Sequence, residues 1–156
     1  EGAGIDGASM NGGTLKGLIL MRIEGRAALS ANPELRDMVR WFIAHEAAHF
    51  WLGQAVGYEG SADSWIMEGG ADLLAARTVQ QLDPAYRPTA FLNEAIRDCA
   101  KAAARPVSKA PERGEHRTTY ACGTVFSLAA ERVSDGDFYL FTRRLIDRHR
   151  AAGMVN

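Results

Sequence analysis

No stretch of this sequence approaches the roughly 18 consecutive apolar residues that a membrane-spanning helix needs. An excess of one charge is missing too. Lysine and arginine number 18 against 19 aspartate and glutamate, giving a formal net charge of -1. That balance removes any general attraction to nucleic acid or to an anionic membrane surface. The opening residues, 1 to 13, lack a basic-then-apolar targeting pattern and are glycine-rich, so they read as a flexible lead-in. Cysteine is scarce. Cys99 and Cys122 are too far apart in sequence for a close metal-binding pair; two buried free thiols is the plain expectation, and a single disulfide the alternative. There is no internal repeat and no low-complexity tract.

What is present fits one folded domain: 156 residues, 47% apolar and 24% charged. The expectation is a single domain over 1–156, cut from a longer protein that carries flanking domains. From Thr14 to Glu24 the run TLKGLILMRIE places apolar residues on both faces of a strand. Helical signals follow. Asn32 then Pro33 is an N-cap with proline at the first helical position, and the pattern runs to about Gly53. A glycine-rich loop spans Gln54 to Asp63. A second helix is expected from Asp63 or Ser64 to just before Pro84, because proline disfavours the helical region for its predecessor. Thr89 to Ala104 fits a third, Arg105 to Thr118 reads as surface loop, and Thr119–Val133 and Asp137–Ala152 fit two more around a Ser134-Asp135-Gly136 turn. The fold class is mainly α with a small β element.

From Trp41 to Leu52 the sequence is WFIAHEAAHFWL, in which nine of twelve residues are apolar and cover every side of a helix. Such a helix is expected to be buried. The remaining three are His45, Glu46 and His49. Ionisable groups there cost several kcal/mol unless they are paired or bound to a metal. Four residues turn a helix through about 400°, so the two histidines sit about 40° apart, one turn along the same face. They can converge on one ion at about 2.0–2.1 Å. Glu46 is rotated about 100° from His45, which suits a base better than a ligand. The arrangement is H-E-x-x-H, in which the glutamate is the general base of metal-assisted hydrolysis. A chance match, with two core histidines bonded to carbonyls, is the bland alternative.

A catalytic zinc takes three protein ligands and keeps one open position. Glu68, in SWIMEGGADLLAA, follows His49 after an 18-residue spacer, long enough to turn and return antiparallel. Gly69 and Gly70 each cost about 1 kcal/mol inside a helix relative to alanine. Close approach of the two ligand-bearing helices would repay that cost, and a loose helix start is the other explanation. Asp72, one turn beyond Glu68, is placed either to accept the free N–H of His45 or His49 or to pair with Arg77. His116 and His149 lie beside arginines outside any apolar helix and read as solvated surface histidines.

HEAAHFWLG (45–53), the spacer and WIMEGGA (65–71) together resemble the gluzincin peptidases, most closely the aminopeptidase N-like branch with H-E-x-x-H-x-W-x-G and W-x-x-E-G-x-A. Trp51, Gly53, Trp65, Gly69 and Ala71 fall on that pattern. The resemblance implies a thermolysin-like zinc peptidase catalytic domain acting on a peptide or protein, with zinc on His45, His49 and Glu68 and Glu46 as base. It also implies that Tyr120, in TYACG, stabilises the oxyanion, with Cys122 where the family usually carries lysine; a core tyrosine is the plainer alternative. Aminopeptidases of the family hold the substrate's ammonium with a glutamate on an upstream strand. The matching stretch is NGGTLKGLIL, so Gly13, Thr14 and Leu15 are the candidate substrate-binding residues, and no acidic residue occurs between Asp6 and Glu24. Aminopeptidase specificity is therefore not expected. A zinc-containing but inactive domain that binds peptides or a partner is the alternative from another functional class.

Overall fold

A computed structural model describes residues 7–30, 33–58, 60–102 and 104–151. Among these residues two strands, β1 (Ser9–Leu15) and β2 (Leu18–Glu24), precede five α-helices: α1 (Pro33–Ala48), α2 (Ser64–Leu82), α3 (Thr89–Ala102), α4 (His116–Arg132) and α5 (Phe138–Ala151). The expected N-cap Asn32 lies outside the described residues. Among the described residues, no helix is long and apolar enough to cross a membrane.

The single expected strand is a hairpin. β1 and β2 pair antiparallel from Ser9↔Glu24 to Leu15↔Leu18, closed by Lys16 and a left-handed Gly17 with φ 72°. Residues 9–13, expected in the lead-in, are therefore strand; they lack the side chains that mark one in sequence but still offer backbone donors and acceptors to β2. Only one face of β2 packs. Ile19 and Met21 are half-buried, whereas Leu18, Leu20 and Ile23 are exposed.

Helix α2 is the centre of the molecule. It lies against α1 and against α4, while α3 packs along α4, and α5 touches both α4 and α2. Ala48, Leu52, Ala71, Leu73, Leu74 and Phe138 form the apolar core. Two glycines set the distance between α2 and α4: a Cβ on Gly69 would lie 2.1 Å from the Gly123 carbonyl carbon, and one on Gly123 would lie 2.0 Å from the Trp65 oxygen. The close approach expected between the two ligand helices is thus at Gly69 an approach to α4, while Gly70 makes room for Leu52 just beyond α1.

The expectation of an all-round buried α1 is corrected. With α2 as its main helical neighbour and the hairpin beside it, α1 leaves Met38 and Ile43 exposed, and buries His45, Glu46 and Ala48. The helix also stops at Ala48 rather than Gly53, and its last turn tightens as the His49 N–H donates to the Glu46 carbonyl at 3.2 Å. Helix α4 starts three residues before the expected Thr119, since the polar segment before it folds into short 3-10 turns at Val107–Lys109 and Pro111–Arg113. The cysteines are bridged, not free: Cys99 on α3 and Cys122 on α4 stand with Cα atoms 4.6 Å apart in a disulfide. The packing of α3 along α4 brings them together across 23 residues, so no local spacing signals it. Of the two histidines read as surface, His116 is exposed and His149 is half-buried with an unpartnered Nδ1.

Candidate metal centre

The last turns of α1 and the first turns of α2 meet at one point. His45 Nε2 is 3.2 Å from His49 Nε2, and Glu68 Oε2 lies 3.5 Å from the first and 3.6 Å from the second. Ligand atoms placed tetrahedrally at about 2.1 Å around one ion are separated by about 3.4 Å, so the triangle has the size of one face of such a shell. His45 is buried, and His49 and Glu68 are half-buried, in the group that could hold a metal ion.

The outward ring atoms show what orients each imidazole. His45 Nδ1 lies 2.8 Å from Asp72 Oδ1, at ion-pair distance though the ring N–H is not aligned as a hydrogen bond, and both atoms are otherwise without partners. His49 Nδ1 faces the Leu52 carbonyl at 3.4 Å. With both Nδ1 atoms turned outward, the two Nε2 atoms and a carboxylate oxygen converge on one point. That donor set, two nitrogens and one oxygen, fits a cation. Asp72 thus lies beside His45, whereas Arg77 is paired with Glu131 at 2.6 Å.

The electrostatics follow from crowding. Burial by itself lowers the His45 pKa, but Asp72 and Glu68 beside it prevail and raise it to about 9. Burial pushes the Asp72 carboxyl above its usual range. For Glu68 burial acts upward, yet the two histidines hold it below the ordinary glutamate value. Tyr120 is driven well above an ordinary tyrosine by burial and by the Glu68 carboxylate, so its hydroxyl stays protonated and available as a donor.

Around the triangle lies a cavity of about 310 Å³, lined by Gly12, Gly13 and Thr14 of β1, by Glu46, Gly53, Gln54 and Met67, and by Tyr120 of α4. The Tyr120 ring stacks near His45, with centroids 6.1 Å apart. A comparable cavity of about 350 Å³ on another face of α1, between Trp51, Leu74 and Tyr139, lines none of the three ligand candidates, so chemistry assigns the site to the first. Gly13 and Thr14 line the cavity. Leu15 does not: β1 ends there, its side chain is exposed, and its carbonyl accepts from Gln54 at 3.0 Å.

Two contributors, and one contact of a residue already singled out, were not read from the sequence. Trp41 stacks on the His45 ring at 5.3 Å. Thr124, fully buried, donates to the Tyr120 carbonyl at 3.0 Å and lies 3.5 Å from Asp72 Oδ2. The Thr14 hydroxyl is 2.9 Å from the Glu46 carboxylate. Spacing four residues before His45 hints at Trp41; the other two cross between elements and leave no local signal. Against known proteins, the chain matches no family model, no curated protein and no solved structure.

Proposed function

We propose that this chain is a zinc-dependent hydrolase of peptide bonds, a gluzincin of aminopeptidase N-like type built on a thermolysin-like catalytic fold. The observation that carries the reading is the His45, His49 and Glu68 triangle with a further carboxylate, Glu46, in the same cavity and outside the ligand set. Two nitrogen donors and one oxygen donor suit zinc with an open position. When bound, the ion polarises the substrate carbonyl and lowers the pKa of water.

The chain's own residues do the rest. Glu46 takes a proton from water as the water oxygen bonds to the carbonyl carbon. It then delivers that proton to the amine as the C–N bond breaks, and ends as the carboxylate it began as. Tyr120, kept protonated, donates to the oxygen on which negative charge develops. Asp72 holds the His45 ring in place. Gly12, Gly13 and Thr14 border the cleft as a strand, a surface against which an extended peptide can lie. Among the described residues lining the cavity, the acids are Glu46 and Glu68, both of which already have roles on this reading. The substrate on this reading is a peptide bond recognised without a free amino terminus.

One observation favours the second reading, an inactive zinc-containing domain that binds a peptide or partner: the position where the family usually carries lysine is Cys122, taken up in the disulfide. Cleavage of a mixed peptide pool separates the two. Hydrolysis that a chelator abolishes and added zinc restores is expected. Glu46→Gln should keep the metal and lose about 10²- to 10⁴-fold in rate, and Tyr120→Phe should lose roughly 10²-fold in kcat with little change in metal affinity. Full turnover in Glu46→Gln would remove the mechanism.

A further inference from the structure

We infer that Thr14 is a positioning residue for Glu46, its one hydroxyl serving that side chain both as carboxylate and as carboxylic acid; the inference rests on the hydrolytic reading above. Thr14 Oγ1 lies 2.9 Å from Glu46 Oε2 and 2.6 Å from the Glu46 main-chain oxygen. A hydroxyl carries one proton and two lone pairs. While Glu46 is ionised, both neighbours are acceptors and the Thr14 proton is shared between them. Once Glu46 has taken the water proton on its other carboxyl oxygen, Oε2 still accepts from Oγ1. No heavy atom has to move between the two states. Passing the proton to the leaving amine restores the first.

The fold explains why an acceptor stands ready. Helix α1 ends at Ala48, so the carbonyls of its last turn lack ordinary helical partners, and that of Glu46 receives the His49 N–H at 3.2 Å and the Thr14 hydroxyl. Thr14 itself is fixed by pairing with Ile19 across the hairpin and by the Gln54 contact to its neighbour Leu15. A carboxylate at this place would face Glu46 with like charge, whereas a hydroxyl completes it.

The test compares zinc-loaded wild type with Thr14→Val, Thr14→Ala and Thr14→Ser on one peptide substrate. Both variants without the hydroxyl should lose about tenfold to hundredfold in kcat, with KM changed by no more than about twofold. Thr14→Ser should recover most of the rate. Zinc affinity by chelator competition should be equal in all four, because Thr14 touches no ligand atom. Crystal structures should show the Glu46 carboxylate displaced in Thr14→Val and in place in Thr14→Ser. Unchanged kcat with the carboxylate unmoved, or Thr14→Ser as impaired as Thr14→Val, overturns the inference. The alanine variant guards against a packing fault introduced by valine. A zinc-loaded wild type that cleaves no peptide overturns the hydrolytic reading instead, and the carboxylate position still decides whether Thr14 holds Glu46.

Discussion

Asp72 shows how a single residue prepares the centre. Its oxygen stands 2.8 Å from His45 Nδ1, leaving Nε2 to face His49 and Glu68. Asp72→Asn keeps the shape and removes the charge that fixes the ring. Zinc affinity should fall about 10- to 100-fold, measured by chelator competition; an unchanged affinity would show that packing against Trp41 orients His45 without help. At this scale the sequence was most informative. The clustering of the three ligand candidates was legible, because they lie one turn apart on a helix or on the next helix of the chain, and Glu46 and Asp72 lie beside them. Thr14 was placed at the site, but its hydrogen bond to Glu46 was not foreseen, since it joins residues 32 apart through a hairpin that the glycines at 12 and 13 conceal.

Among the elements, α4 has the most to coordinate. It carries Tyr120 into the cavity, meets α2 at Gly123 and is joined to α3 through Cys122. A crosslink closing a loop of this length contributes about 3 kcal/mol by restricting the unfolded chain. Replacing Cys99 and Cys122 together by serine should lower the stability in urea by about that amount, with zinc affinity retained because neither residue touches the ligands. A loss of zinc binding as large as the loss of stability would mean that the bridge shapes the centre itself. Helix limits were legible where proline or a polar turn marks them: α2 runs Ser64–Leu82, just short of Pro84, and α5 begins right after the turn containing a left-handed Asp135. Burial was not legible where packing decides. The exposure of Ile43 follows from α1 being covered mainly by α2 and the hairpin, which periodicity does not report.

For the whole molecule, the centre ties stability to pH. His45 is raised from 6.5 to about 9 by its carboxylate neighbours in the folded chain, so the folded state binds the proton more tightly than the unfolded one. That contribution is fully present below pH 6.5 and is lost as pH rises through 9. Chelator-treated protein should therefore lose stability over this window in urea titrations. Zinc-loaded protein should not, because metal binding needs the neutral ring and strengthens as the proton leaves. Equal pH profiles for the two preparations would contradict the coupling.

If His45, His49 and Glu68 hold one divalent ion, zinc stoichiometry at neutral pH shows it. Wild-type protein should bind one equivalent. His45→Ala, His49→Ala and Glu68→Ala should each weaken binding by orders of magnitude while keeping the helical circular dichroism. Wild-type protein that takes up no zinc, or three variants that bind it as tightly as wild type, would rule out this metal site.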